Sequence, residues 1–80
     1  MNKNDIFIKL KEIFATVFKD SKLEFTEKTT ASDVAKWDSL NHVVLFNTIE
    51  KSFNIKFKFD DMLEINSVGE ICDNIFEKLN

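Results

Sequence analysis

Apolar residues recur with helical spacing over most of the chain. Ile6, Leu10, Ile13, Phe14 and Val17 stand at i, i+4, i+7, i+8 and i+11, with Phe7 and Phe18 widening the stripe. Lys3, Lys9, Lys11 and Glu12 fall on the other side, so the spacing predicts an amphipathic helix over 3–18. A second stripe runs through Leu40, Val43, Phe46, Ile49 and Phe53, at spacings of 3, 3, 3 and 4. Asp38 is suited to cap its first turn, and Asn54 to end it in a left-handed conformation. A last stripe, Val68, Ile71, Cys72, Ile75 and Leu79, with Phe76 alongside, follows the capping-box pattern Ser67-Val68-Gly69-Glu70. It predicts a helix over 68–79.

Two stretches break the helical period. From Lys19 to Trp37 the chain is mixed polar, with Thr26, Thr29, Thr30 and Ser32 opposing a long helix. Leu23, Phe25, Val34 and Trp37 are scattered apolar anchors there, and a short helical turn is placed around 32–36. Such a long connection is uncommon in a small domain and is often functional. The run Phe53-Asn-Ile-Lys-Phe-Lys-Phe59 alternates like a strand, but no second alternating run exists to pair with it. It is therefore read as an extended connector with its apolar side chains turned inward, followed by a short helix from Asp60 to Ile65. The expected architecture is all-α, with three longer helices, a short third one and a long first loop. Residues 1–80 form a single domain.

Composition narrows the chemistry. The 80 residues include no Pro, one Gly, one Cys and one His. All-β folds built on many tight turns need more Pro and Gly. A single Cys excludes an internal disulfide, and one Cys with one His makes a poor zinc site, so no metal is expected. Cys72 falls on an apolar helix face and is read as a small buried hydrophobe. The formal net charge is −3 and all 11 basic residues are Lys. Without Arg, the residue best suited to bidentate phosphate and guanine contacts, nucleic acid is not an expected partner. Lys9, Lys11 and Glu12 interrupt the first apolar run, so it cannot serve as a signal-peptide core. No run approaches the roughly 20 apolar residues of a membrane span. The expectation is a soluble, cytoplasmic monomer with a reduced thiol.

The informative spot is Asp38-Ser39-Leu40. A small hydroxyl stands on the first turn of a helix, just after the long loop, beside unpaired backbone N–H groups. Those groups and the helix dipole would favour an anionic ester on its oxygen. An ordinary helix cap is the plainer reading of the tripeptide alone. A hydrolase is a further alternative, because Ser39 and His42 share a helix face and Asp38 lies four residues before His42. One surface turn offers neither an oxyanion hole nor exclusion of water, so His42 is read as a surface residue beside Ser39. Asp60, Asp61 and Glu64 are read as acids opening a helix.

In this setting the chain resembles the acyl carrier proteins over nearly its whole length. Asp38-Ser39-Leu40 opens the second helix after a long loop. Val43, Leu45, Phe46, Ile49 and Phe53 occupy the family's apolar face, and Ser67-Val68 opens the last helix. The resemblance implies a small four-helix bundle and a non-catalytic carrier, bacterial in type. A phosphopantetheinyl transferase would move 4'-phosphopantetheine from coenzyme A onto Ser39, with Asp38 helping the transferase engage. The arm's thiol would then carry acyl groups as thioesters to acyl-activating, synthase or acyltransferase enzymes. The second helix would be the docking surface, through Leu40, Asn41, Val44, Asn47 and Glu50. The acids that fatty-acid carriers display on this helix are reduced here to Glu50, and the Gly often found upstream of the motif is missing. These departures point to a specialised pathway, secondary-metabolite or glycan-related, rather than bulk fatty-acid synthesis. Aminoacyl and peptidyl carriers share the fold and the serine. An unmodified adaptor, binding a partner through the second helix or the edge at 54–59, is the alternative of another class.

Overall fold

In the computed structural model, residues 1–20 and 25–79 are described. Leu23, one of the anchors expected in the loop, lies outside them. The chain forms α1 (Lys3–Phe18), a 3₁₀ turn (Ala31–Asp33), α2 (Ser39–Phe53), α3 (Phe59–Glu64) and α4 (Val68–Leu79). No strand forms among the described residues, and the order is that of a small four-helix bundle.

The helix limits follow local chemistry. Asn2 caps α1 by accepting from the Asp5 N–H at 2.8 Å. Both α1 and α2 end on left-handed residues, Lys19 at φ 54° and Asn54 at φ 55°. Ser67 Oγ accepts from the Glu70 N–H at 3.3 Å and donates to Glu70 Oε1 at 2.9 Å, which starts α4.

α1 packs against both α2 and α4. The core takes Ile6, Leu10, Ile13, Phe14 and Phe18 from α1, and Leu45, Phe46, Ile49 and Phe53 from α2. α4 adds Val68, Ile71, Cys72 and Ile75, and Val34, Trp37 and Ile65 close the ends. No side chain of α3 is fully buried, though Met62 packs partly against the core.

Three expectations need correction. In α2 the buried line is Leu45, Phe46, Ile49 and Phe53; Val43 of the expected apolar face is 41% exposed, and Leu40, which continues the stripe but also belongs to the expected docking face, is 75% exposed. Only the short α3 and the loop stand near the first turn of α2, too little to cover it. In the connector, Ile55 and Phe57 do turn toward the core, but Phe59 begins α3 and is 68% exposed. The helical turn expected around 32–36 forms slightly earlier, at Ala31–Asp33, where the Asp33 carboxylate accepts from the Thr30 N–H at 3.0 Å.

The long loop is laced to the start of α4 by backbone hydrogen bonds. Gly69 N–H donates to the Glu27 carbonyl, Val68 N–H to that of Thr29, and Ala31 N–H to that of Asn66, each at 2.9 Å. Gly69 permits this approach, because a Cβ there would lie 3.0 Å from the Glu27 oxygen. Thr29, buried, accepts the Thr26 N–H on its own hydroxyl at 3.0 Å. The loop thus arrives at α2 in a fixed path, with Trp37 anchored in the core.

Candidate functional site

Asp38 is the N-cap of α2. Its backbone is extended (φ −98°, ψ −176°), and its carboxylate accepts from the Asn41 N–H at 2.8 Å. The Asn41 side-chain amide reaches back to the Lys36 carbonyl at 2.7 Å, tying the incoming loop to the same turn. Ser39 follows as the first helical residue and is exposed. Its place at the helix N-terminus sets the hydroxyl beside N–H groups of the first turn and the positive end of the dipole.

A pocket of about 350 Å³ opens next to it, between α2 and α3. Trp37, Ser39, His42 and Val43 line one side, and Leu63, Ile65 and Asn66 the other. An exposed hydroxyl, an anion-favouring helix end and an adjoining open pocket fit a phosphate ester that carries a flexible arm.

His42 is not the surface residue expected. It is half-buried, its ring stacked at 18° on Trp37 with centroids 6.1 Å apart. Trp37 Nε1–H donates to His42 Nδ1 at 2.8 Å. That assigns the ring proton to Nε2, which donates to the Met62 carbonyl of α3 at 2.7 Å. With its one acceptor nitrogen taken by an indole, the imidazole has no lone pair for the Ser39 hydroxyl, and the hydrolase alternative loses its base. The sequence carried no sign of this role, because Met62 lies 20 residues away and contributes only backbone.

The residues expected on the docking face divide. Leu40, Val44 and Asn47 are exposed, and Asn41 is half-buried through its contact with Lys36. Glu50 is half-buried, and its carboxylate accepts from the Phe57 N–H at 2.9 Å, where it fixes the connector. No cluster of His, Cys, Asp and Glu suited to a metal ion occurs among the described residues. Nor is any helix among them long and apolar enough to cross a membrane.

The family model for the phosphopantetheine attachment site matches residues 9–75, which span the whole of this site. The chain belongs to the acyl carrier protein family. Among solved structures it is similar to the holo acyl carrier protein from Geobacter metallireducens, at 34% identity and a TM-score of 0.85. That likeness covers 91% of this chain and 84% of the other. No curated protein matches. As an acyl carrier protein the chain uses covalently held 4'-phosphopantetheine as its cofactor and works with synthase or transferase enzymes.

Proposed function

We propose that Ser39 is the attachment point of the arm and that the protein serves a specialised acyl pathway rather than bulk fatty-acid synthesis. The observation that carries the first part is the exposed Ser39 hydroxyl on the capped first turn of α2, at the mouth of the pocket. A phosphopantetheinyl transferase joins Ser39 Oγ to the phosphopantetheine phosphorus as the pyrophosphate bridge of coenzyme A breaks. The nucleotide leaves and the hydroxyl proton passes to the transferase. Asp38 holds the turn in shape for that enzyme by capping it. The bound arm supplies a thiol that carries acyl groups as thioesters. The protein's own part is to anchor it, which raises the local concentration of cargo at each partner's active site. Partner enzymes dock on exposed Leu40, Val44 and Asn47, with half-buried Asn41 at the edge of that face, while Glu50 holds the connector. The domain spans residues 1–80.

The second part rests on the charge of α2. Its acids are capping Asp38 just before it and Glu50, which is spent on Phe57, so the exposed face offers Leu40, Val43, Val44 and Asn47 instead. Steering toward a basic partner patch is correspondingly weak.

Intact-mass spectrometry tests the first part. Incubation with coenzyme A, magnesium and a promiscuous transferase adds one phosphopantetheine moiety, and Ser39→Ala adds none. A folded protein that gains no mass overturns the assignment and returns the adaptor reading. For the pathway, substitution into a reconstituted fatty-acid synthesis assay is expected to give poor elongation; efficient elongation refutes it.

A further inference from the structure

A group tethered to Ser39 meets the pocket first, and the floor of that pocket is aromatic. Trp37 and His42 line it, and a column of rings continues from them on both sides. Phe14 stands edge-on to Trp37 at 5.2 Å between centroids. His42 lies 4.7 Å from Phe46, and Phe46 meets Phe57 edge-on at 5.0 Å. These separations are those of rings in direct contact, so no methylene chain passes between them. The column is also pinned. The Trp37–His42–Met62 hydrogen bonds tie the loop, α2 and α3 together across the pocket floor. Turning His42 aside would leave a buried indole N–H without a partner, which is costly.

We infer that His42 is a positioning residue that sets how deep cargo can reach, and that the carrier is built for short acyl groups resting in the pocket between α2 and α3. A long chain gains nothing from the bundle interior and stays at the surface, available to a partner. This inference rests on attachment at Ser39.

The test loads the full chain with butyryl- or decanoyl-phosphopantetheine from the matching coenzyme A esters. Mass spectrometry reports loading, while melting temperature and amide NMR shifts report where the chain lies. In the native protein the decanoyl form is expected to melt within about 1 °C of the butyryl form, a span too small for substantial new burial. Shifts are confined to pocket residues such as Val43, Leu63 and Asn66. In His42→Ala, space opens behind the pocket, and the decanoyl form melts about 4 °C or more above the butyryl form. His42→Phe, which refills the ring volume without the nitrogens, again keeps the decanoyl and butyryl forms within about 1 °C of each other, although both melt lower because the Trp37 N–H loses its partner. Decanoyl stabilisation of the native protein, or decanoyl-induced shifts at Leu10 and Ile49, overturns the inference. So does a folded His42→Ala that shows no gain. If His42→Ala does not fold, the native protein and His42→Phe still decide. A chain that accepts no arm overturns both this inference and the attachment reading, and the mass spectrum shows that the fault lies in attachment.

Discussion

Asp38 caps the first turn of α2 with its carboxylate and directly precedes Ser39, the proposed attachment point of the arm. Asp38→Ala removes the bond to the Asn41 N–H and is expected to cost about 1 kcal/mol in urea unfolding. Asp38→Asn keeps a capping oxygen and should lose only a few tenths of that, on the order of 0.3 kcal/mol. If both variants slow arm transfer equally, the charge matters to the transferase beyond the cap. Cys72 gives a different kind of prediction. Burial, and then the negative charge of nearby Asp73, hold its thiol above its ordinary pKa of 9.0. The folded state therefore keeps the proton longer than the unfolded chain does. Stability from this group is intact below the ordinary thiol pKa and falls as pH rises from there toward the folded value. A melting series through that alkaline window should steepen for the native protein relative to Cys72→Ala. Iodoacetamide should label the native thiol slowly and the unfolded one fast.

The helices were legible because each carries its own stripe and its own cap. The limits of α1 and the stop at Asn54 are written in local spacing and backbone preference. At the first turn of α2 local spacing misleads for the opposite reason. Leu40 and Val43 continue the period, yet burial depends on what stands opposite, and α3 is too short to cover them. The seam between the loop and α4 left no mark at all, since its bonds run backbone to backbone. Only Gly69, the single glycine, hinted that something passes close. Gly69→Ala sets two effects against each other. Alanine in a helix gains up to about 1 kcal/mol over glycine. The new Cβ would stand 3.0 Å from the Glu27 oxygen, a backbone atom held by the seam itself, and overpacking of this kind costs about 1–3 kcal/mol. The clash wins, and a net loss of about 1 kcal/mol is expected in denaturant unfolding, with faster hydrogen exchange at Ala31 and Val68.

As molecules, small domains have little stability to spare. A short chain buries only a modest share of its surface, and this one gathers its interior around α1. Phe46 touches both His42 and Phe57, so it links the core to the wall beside Ser39. Phe46→Ala is expected to cost about 3–5 kcal/mol, against a total of about 5–15 kcal/mol for ordinary domains, and to lower the circular-dichroism melting temperature steeply. The site divides in the same way as the fold. Ser39 and its capped turn were legible in three consecutive residues, whereas the pocket and its aromatic floor depend on contacts between α2, the loop and α3 that no local pattern encodes. Trp37, 5% exposed in that floor, is also the only tryptophan in the chain. Its emission therefore comes from one place, the joint between the loop, the serine-bearing helix and the imidazole. The native sequence supplies its own optical probe: the fluorescence maximum and lifetime of one indole follow the opening of this joint, with no label attached.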